Sequence, residues 1–353
     1  MNFEKNKILG IMSGTSLDGI DFTVVDFQLI NNEWQFQIKE TKTYSYSKEW
    51  FEKLKFASTL SEFELKKLND EYTFYLNQQI NRFIDEFKIT NLDAIASHGH
   101  TILHNPKEGY TLQIGNLPEL KNGFDVPIVC DFRVQDVKLG GQGAPLVPIG
   151  DRLLFSEFDF CLNLGGFSNI SYEIDGNRIA YDISPVNTVL NYYANQLGFE
   201  YDKDGEIAAT GNIHIELLEK LNLNKFYKKN FPKSLGIEFV FSEVLPVIDF
   251  FQLEIKDVLV TYIEHIAVQI ANVLRCKSGK MIVTGGGAFN VFLINRIKNH
   301  NPNIQVIIPN AEIINYKEAL IFAFLGVLRL NNSINVLASV TGAKSDHSSG
   351  VIL

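Results

Sequence analysis

The sequence has few cysteines, no excess of basic residues and no long apolar run. Three cysteines, Cys130, Cys161 and Cys276, lie far apart in 353 residues without a CxxC pair. This spacing argues against a disulfide framework and a zinc site, and it fits a reducing compartment. Forty-one acidic residues against 32 basic ones give a net charge of -9. A surface that neutralises nucleic acid or anionic lipid is therefore not expected.

Membrane insertion and secretion are also not indicated. The longest apolar run, Ala319 to Leu328, is half of the roughly 20 residues that a spanning helix needs. The apolar stretch that follows Lys7 reaches only about five residues before Ser13, which is short for a signal-peptide core. We interpret this stretch as a first strand and expect a cytoplasmic protein.

Length and apolar patterning predict an α/β protein of two domains. The chain is 46% hydrophobic, enough for two cores of ordinary size. Alternating residues predict strands before and after the turn "SGTSLDG" and again near residues 33–46, and a helical pattern covers residues 47–88. We expect an N-terminal domain over residues 1–150 and a C-terminal domain over 151–353, with the last ~20 residues packing back on the first.

The second half repeats the strand–turn–strand pattern with which the first half begins. "FDFCLNLGGFSNISYEI" is a strand, a glycine turn and a second strand, and "RIAYDIS" supplies a third. This order predicts two related α/β halves, although their residues differ. A small ligand would usually lie in a cleft between such halves.

Glycine turns are the first candidate ligand sites. "SGTSLDG" joins glycines to the hydroxyls of Thr15 and Ser16 and to Asp18, which suits phosphate binding by backbone N–H groups. It is neither a P-loop nor a Rossmann fingerprint, because no GK[ST] follows and the next element is a strand. "NLGGFSN" and "VTGGGAFN" are weaker signals, since a plain hairpin or close packing also explains their glycines.

Polar residues cluster in two further segments. "DFRVQDVKLGGQGAPLVP" supplies Arg133, Asp136 and Gln142 on a loop that suits a sugar, with an interdomain connection as the alternative. "SHGHTILH" offers His98 for a hydrogen bond to a ligand. A metal site at its three histidines is not favoured, because no acid or cysteine completes a ligand set.

Asp182 and a basic segment complete the candidates. Asp182 ends a predicted strand before Pro185, where a carboxylate points toward the ligand crevice or serves as a turn acid. The aromatic, basic run "NKFYKKNFPKS" is interpreted as a solvated loop, with a lid or substrate edge as the alternative.

These motifs together resemble the anhydro-N-acetylmuramic acid kinases over almost the whole chain. The similarity is carried by "GIMSGTSLDGID", "HGHTILHNP", "DFRVQDVKLGGQGAPLVP", "NLGGFSNIS", "PKSLGIEF", "TGGGAFN" and "EALIFAFLG". It implies two duplicated actin-like (ribonuclease H-like) domains with ATP and Mg²⁺ in the cleft between them. It also implies a kinase that opens 1,6-anhydro-N-acetylmuramic acid with water and phosphorylates O6 during cell-wall recycling, and it suggests a homodimer.

The resemblance assigns roles residue by residue. Asp182 aligns with the catalytic base, and Asp18 is a candidate Mg²⁺ ligand. Contacts to ATP or phosphate are implied for Gly14, Thr15, Ser16, Leu17, Asp18, Gly19, Ile20, Asp21, Gly165, Gly166, Gly285, Gly286, Gly287 and Asn290. Contacts to the sugar are implied for His98, Arg133, Asp136, Gln142, Gly143, Asn187 and Glu318.

Two departures from the family pattern leave alternatives open. The run "DISPVN" replaces the family's "DTGPGN", and His100 stands where Gln is usual. A kinase for another sugar is therefore the second enzymatic hypothesis. A non-enzymatic actin-like or chaperone-type ATPase is the third, although the chain lacks a peptide-binding domain.

Overall fold

A computed structural model describes residues 5–353, and the first four residues of the N-terminal segment lie outside it. The chain divides into two compact units. The first runs to Leu154 and also includes Tyr316–Leu353, and the second is Phe155–Asn315. The first unit thus ends beyond residue 150, and the C-terminal segment that belongs to it begins well before the last ~20 residues.

Strands and helices alternate along the chain. The strands are β1 (Asn6–Ser13), β2 (Ile20–Ile30), β3 (Glu33–Tyr44), β4 (Ala94–Asn105), β5 (Tyr110–Ile114), β6 (Ile128–Cys130), β7 (Phe160–Leu164), β8 (Phe167–Ile174), β9 (Asn177–Pro185), β10 (Gly279–Thr284), β11 (Ile304–Ile307) and β12 (Val351–Ile352). The helices are α1 (Lys48–Lys55), α2 (Glu62–Phe87), α3 (Val134–Lys138), α4 (Pro148–Leu154), α5 (Asn187–Gln196), α6 (Ile215–Asn222), α7 (Ile237–Phe239), α8 (Leu245–Asp249), α9 (Ile255–Leu274), α10 (Val291–His300), α11 (Ala311–Leu330) and α12 (Ala338–Thr341).

The first unit is built on a seven-stranded sheet. Its order is β12-β6-β4-β1-β2-β3, with β5 paired to β4. Strands β1, β2 and β3 form an antiparallel meander, whereas β4 and β6 continue the sheet in parallel with β1. Parallel neighbours require crossover connections, and the helical segment of α1 and α2 supplies the one between β3 and β4.

The second unit repeats this arrangement in a five-stranded sheet of order β11-β10-β7-β8-β9. Strands β7, β8 and β9 are antiparallel, and β10 and β11 run parallel to β7. In both units the meander runs third, second, first across the sheet, and two strands parallel to the first strand follow on its other side, β4 and β6 in the first unit and β10 and β11 in the second. The expected duplication of two actin-like α/β domains is confirmed, although the sequences of the halves share little.

Local signals explain where the long helices begin. Ser47 caps α1 through the Trp50 amide, and Ser61 forms a capping box with Glu64 at the start of α2. The sequence predicted a loop for the polar segment after β6. This prediction is wrong, because the segment contains the short helices α3 and α4. Strand β9 continues through Pro185, and α5 begins at Asn187.

Small residues let α11 lie close to the first sheet. A Cβ atom on Gly10 of β1 would stand 2.2 Å from the Ala319 carbonyl oxygen, and one on Gly326 would stand 2.7 Å from the Ala96 methyl. The apolar run predicted as a buried helix is the part of α11 from Ala319 to Leu328, and its apolar residues are buried. Close packing therefore holds this helix in the first unit.

Helix α9 lies in the core of the second unit. By length and composition alone it is apolar enough to cross a membrane, but 72% of its apolar window is buried within the protein. Its buried residues include Ile263, His265, Ile266 and Ile270. Such burial is typical of a core helix.

We predict that Gly326→Ala lowers the free energy of unfolding by about 1–3 kcal/mol, because the new methyl group overpacks against Ala96. This loss would outweigh the gain in helix propensity of roughly 1 kcal/mol. Adding Ala96→Gly removes the clashing methyl and should restore part of the loss in urea denaturation. Equal or lower stability of the double variant would contradict the packing argument.

Candidate functional site

The turn between β1 and β2 presents polar side chains to solvent. Thr15, Ser16 and Asp18 are exposed, and Gly14 and Leu17 are partly exposed. The Leu17 amide donates to the Gly14 carbonyl at 3.3 Å, which closes the turn. Gly19 and Ile20 are buried. The structure therefore offers the tip of the turn for ligand contact, whereas the Ile20 side chain belongs to the hydrophobic core.

Asp21 lies in an acidic region of the first unit. Its Oδ1 accepts a hydrogen bond from Thr43 Oγ1 at 2.6 Å. Burial raises the pKa of Asp21 to about 6, the Thr43 bond opposes the rise, and the charges of Glu318 and Asp18 add to it. The charges of two further carboxylates thus act on Asp21, an arrangement that a bound cation would relieve.

Arg133 is held by two acceptors in the first unit. Its Nε donates to His98 Nε2 at 2.8 Å, and its Nη1 donates to the Gly143 carbonyl at 2.6 Å. Burial lowers the pKa of Arg133 to about 10, opposed by the charges of Glu318 and Asp136. The guanidinium stays charged at neutral pH. Its Nη2 has no hydrogen-bond acceptor among residues 5–353 and is available to an anionic or hydroxylated ligand.

His98 is a hydrogen-bond partner of Arg133, and its predicted contact with a ligand stays a prediction. The ring is 3% exposed. Nε2 accepts from Arg133, and Nδ1 donates to the Gly99 carbonyl at 2.9 Å. Burial first, and the charge of Arg133 second, hold the pKa of His98 well below its usual value. The ring is therefore neutral and both of its nitrogens are occupied.

Asp136 anchors the loop from inside, and its predicted contact with the sugar stays a prediction. It is completely buried. Its Oδ2 accepts from the Gly143 amide at 2.6 Å, and its Oδ1 accepts from Thr341 Oγ1 at 2.7 Å. Gly143 is likewise buried and uses its amide and carbonyl in these contacts. Of this loop, the Gln142 side chain remains exposed, while the main-chain N–H of Gln142 donates to the Thr341 carbonyl at 2.8 Å.

The Glu318 side chain of α11 has surface accessible to solvent. The protein around it nevertheless limits the hydration of its carboxyl group. This loss of hydration raises the pKa of its carboxyl, while Arg133 and Lys317 oppose the rise. Glu318 and Arg133 therefore lie close enough to influence each other. A carboxylate and a guanidinium are available in one region of the first unit.

A hydroxyl network beneath the first turn escaped the sequence interpretation. Ser13 Oγ bonds to His100 Nδ1 at 2.7 Å and to the Tyr46 hydroxyl at 2.6 Å, and Tyr46 bonds to Tyr72. Burial lowers the pKa of His100 to about 4, so the ring is neutral. His100 and His98 thus belong to separate networks. Regular alternation of side chains along β4 would place His98 and His100 on the same face. Gly99 between them adopts a left-handed conformation with φ 72°, which interrupts this alternation.

Asp182 is held by a segment that arrives from far along the second unit. Residues 231–236, called the strap here, run beside β9. The Asp182 amide donates to the Lys233 carbonyl at 3.1 Å, and Asp182 Oδ2 accepts from the Leu235 amide at 2.8 Å. Oδ1 has no partner in the described chain. Burial raises the pKa of Asp182, opposed by the Leu235 bond and the charge of Lys233.

The residues that depart from the family pattern after Asp182 are turned inward. Ile183 is 1% exposed, and Ser184 and Val186 are fully buried. Ser184 bonds to Ser168 of the neighbouring strand, with 3.0 Å between their hydroxyl oxygens. These side chains therefore pack inside the second unit, while Asp182 is partly exposed.

Two glycine turns meet in the second unit. Asn187 Nδ2 donates to the Leu164 carbonyl at 3.1 Å, beside the turn of Gly165 and Gly166. A Cβ atom on Gly287 would lie 2.8 Å from Leu164 Cβ. Gly285 likewise leaves no room for a side chain, since an added Cβ atom would stand 2.5 Å from Asn163 Oδ1. Gly286, in contrast, is exposed. Only main chain without side chains allows these turns to approach so closely.

Some polar groups of these two turns are already hydrogen-bonded within the protein. The carbonyls of Gly165 and Gly166 accept from the first amides of α5. Asn290 caps α10, because its Oδ1 accepts from the Leu293 amide at 2.9 Å. Its predicted contact with a nucleotide therefore competes with a structural role that explains the residue by itself.

The sequence interpretation missed three residues that contact the predicted acids, namely Lys233, Leu235 and Thr43. Each contacts a predicted acid through long-range hydrogen bonds, with Asp182 and Leu235 separated by 53 residues and Asp21 and Thr43 by 22. The motif "PKSLGIEF" and the basic run before it were the available signals for the strap.

Solved structures provide distant likenesses. One is component A of the (R)-2-hydroxyglutaryl-CoA dehydratase of Acidaminococcus fermentans, with 12% identity, a TM-score of 0.47, and coverage of 90% of this chain and 96% of the other. Another is the activator of the 2-hydroxyisocaproyl-CoA dehydratase from Clostridium difficile with bound ADPNP, with 12% identity, a TM-score of 0.42, and coverage of 92% and 97%.

Sequence relatives match the chain from end to end. The family model for anhydro-N-acetylmuramic acid kinase matches residues 6–353. A protein of that name from Haemophilus influenzae is 32% identical over 100% of this chain and 99% of its own length. One from Aliivibrio fischeri is 34% identical over 98% of each chain. With this coverage and the duplicated fold, the chain belongs to the anhydro-N-acetylmuramic acid kinase family.

Proposed function

We propose that this protein is an ATP-dependent kinase that opens 1,6-anhydro-N-acetylmuramic acid with water and phosphorylates O6. The product is N-acetylmuramate 6-phosphate, an intermediate of cell-wall recycling. Membership of the family supports the substrate class. The observation that carries the mechanism is the carboxylate of Asp182, which is fixed by the strap through one oxygen and leaves the other free.

Asp182 suits the role of general base. Burial raises its pKa, so the ionised carboxylate is a stronger base than an exposed aspartate. The Leu235 amide and the charge of Lys233 limit this rise. A base of intermediate strength removes a proton from water most effectively at the pH where the enzyme works.

The proposed reaction joins hydrolysis to phosphoryl transfer. Asp182 accepts a proton from water while the water oxygen forms a bond to the anomeric carbon, and the bond from that carbon to O6 breaks. The electron pair left on O6 attacks the γ-phosphorus of ATP, and ADP departs with the bridging oxygen. Phosphoryl transfer requires positioning and charge neutralisation more than covalent catalysis.

Residues of the first turn are proposed to hold the phosphates and their metal. Thr15 and Ser16 offer exposed hydroxyl donors, and Asp18 and Asp21 offer carboxylate oxygens. Mg²⁺ prefers one or two carboxylates together with phosphate oxygens and water, so this set fits the ion. When bound, Mg²⁺ supplies charge neutralisation for the transferring phosphate.

Sugar recognition is proposed for Arg133, Gln142, Glu318 and Asn187. Arg133 has a free Nη2, and the Gln142 side chain is exposed. The burial of Ile183, Ser184 and Val186 supports an unaltered substrate, because the replaced side chains do not reach solvent. A kinase for a different sugar is therefore not favoured by the departure at these positions.

Location and assembly are part of the same proposal. We place the enzyme in the cytoplasm as a homodimer that acts on a small sugar without nucleic acid or membrane partners. The net charge of -9 supports the absence of a nucleic-acid surface. Light scattering after size-exclusion chromatography measures the proposed dimer directly.

Asp182→Asn is expected to lower kcat for ADP release with Mg-ATP and the anhydro sugar by about 10²–10⁴-fold, because a general base is lost. ATP affinity should stay within about twofold, since the carboxylate acts on water. Asp175→Asn is the matched control, because Asp175 is exposed on the turn between β8 and β9. Wild-type ADP release with N-acetylmuramate or glucose but none with the anhydro sugar would reject the proposed substrate.

His98→Leu is expected to lower kcat/KM for the sugar by about 10- to 100-fold, because Arg133 Nε would lose its buried acceptor. His98→Gln should recover most of this loss, since its amide oxygen can accept the same bond. The KM for ATP should change little in either variant. Equal losses in Leu and Gln variants of equal thermal stability would refute a positioning role through Arg133.

Asp21→Asn is expected to stabilise the protein at pH 8 and to impair catalysis. The folded pKa of about 6 lies above the unfolded value, so Asp21 favours folding only while protonated. Its favourable contribution is present below about pH 4 and is lost as the pH rises to 6. The gain at pH 8 should be roughly 1 kcal/mol after allowance for solvent contact, and near zero at pH 4.

Thermal denaturation at the two pH values checks this prediction for Asp21→Asn, with exposed Asp70→Asn on α2 as the control for a lost surface charge. A gain that is equal at pH 4 and pH 8 would contradict the electrostatic origin.

A further inference from the structure

The second unit contains a cavity that the proposed reaction does not use. It has a volume of about 210 Å³ and is lined by Tyr181, Ile183, Tyr227, Lys229, Asn230, Phe231, Lys233, Gln269, Asn272 and Val273. Asp182 does not line it, because alternate residues of β9 face opposite sides of the sheet. The strap and the basic aromatic run before it form one wall.

The residues that line the cavity carry positive charge and no acidic side chain. Its lining contains Lys229 and Lys233 and no aspartate or glutamate. No salt bridge pairs either lysine with a carboxylate in the part of the chain that the structure describes. Exposed amides of Asn230 and Asn272 add neutral donors. A lining of two ammonium groups and amide donors suits an oxyanion.

Both lysines lie over the same aromatic ring. The Nζ atoms of Lys233 and Lys229 are 4.8 Å and 5.8 Å from the ring centroid of Phe226, which is buried. Lys233 also donates to the Phe226 carbonyl at 3.4 Å. Cation–π attraction and one carbonyl leave most ammonium donors without acceptors.

Electrostatics agrees with this geometry. Burial lowers the pKa of Lys233, and the charge of Lys229 lowers it further, while Asp182 opposes both. Two ammonium groups that repel each other gain from an anion placed between them.

Aromatic packing gives the cavity a defined wall. Tyr181 and Phe231 stack with 5.6 Å between centroids and 12° between planes. The Tyr227 hydroxyl bonds to His265 Nε2 at 2.9 Å, and His265 Nδ1 bonds to Asn222 Oδ1 at 2.7 Å. Because Asn222 Oδ1 can only accept, His265 carries its proton on Nδ1 and Tyr227 donates to Nε2. The lining side chains are therefore held in place.

We propose that this cavity is a binding site for a small oxyanion, a phosphate or carboxylate group, held by Lys229 and Lys233. The site is separate from the turns proposed for ATP, and its existence does not depend on the proposed catalytic activity. The strap connects it to Asp182, since Lys233 contributes its side chain to the cavity and its carbonyl to the Asp182 amide.

Lysine acylation followed by mass spectrometry tests the site in the wild-type protein, with inorganic phosphate or acetate added at constant ionic strength. We expect the anion to slow acylation of Lys229 and Lys233 at least threefold and that of Lys228 less than 1.5-fold. Lys228 is an exposed neighbour outside the cavity. Protection by phosphate alone or acetate alone identifies the preferred anion, and equal or absent protection of the three lysines overturns the proposal.

Variants supply an independent measurement. Lys229→Gln should weaken phosphate binding at least fivefold in calorimetry with ADP saturating the nucleotide site, whereas Lys228→Gln should change it less than twofold. Equal effects would show non-specific attraction to surface lysines and overturn the proposal. Neither experiment measures turnover, so failure of the proposed kinase activity would leave both results interpretable.

Discussion

The buried carboxylate of Asp136 is the constraint on which the polar site of the first unit depends. It accepts hydrogen bonds from the Gly143 amide and from Thr341 in the C-terminal segment. Gly143 in turn accepts from Arg133, whose other bond goes to the neutral ring of His98. A charge without solvent requires full hydrogen bonding, so this acid fixes the loop that surrounds it. Arg133 is then presented in one orientation without being touched by Asp136.

The second unit positions its acid by different means. Strand β9 carries Asp182, but the main chain of the strap completes its surroundings through the Lys233 carbonyl and the Leu235 amide. Main-chain groups have no rotamers, so they fix a carboxylate at little entropic cost. Asp136 and Asp182 are thus each fixed by a segment distant in sequence, but Asp136 accepts through both carboxylate oxygens, whereas Asp182 Oδ1 has no partner in the described chain. This difference separates a positioning acid from a candidate base.

Burial shifts the pKa values of acids and of histidines in opposite directions in both units. Loss of hydration disfavours charge, so it raises the pKa of Asp21 and Asp182 and lowers that of His98 and His100. Buried histidines consequently serve as neutral hydrogen-bonding partners, while the acids hold charge at a cost. Unfavourable charge of this kind is common where a ligand or cation compensates it.

The sequence by itself determined the class of the protein and the location of its turns. Alternating apolar residues identified the strands on both sides of the turns "SGTSLDG" and "NLGGFSN", and the helical pattern over residues 47–88 indicated the region of α1 and α2. These signals are local, since neighbours in sequence produce them. Family motifs added Asp182 as the base, and this assignment stays a prediction.

Only the tertiary structure decided which polar groups are already hydrogen-bonded within the protein. His98 and Asp136 satisfy the same sequence criteria as Arg133, yet their hydrogen bonds are filled by residues up to 205 positions away. The inward direction of Ile183 and Val186, and the contact of Asp182 with the strap, are equally non-local. A sequence pattern specifies a residue's chemistry and its neighbours along the chain, whereas exposure and hydrogen-bond partners depend on segments that folding brings together.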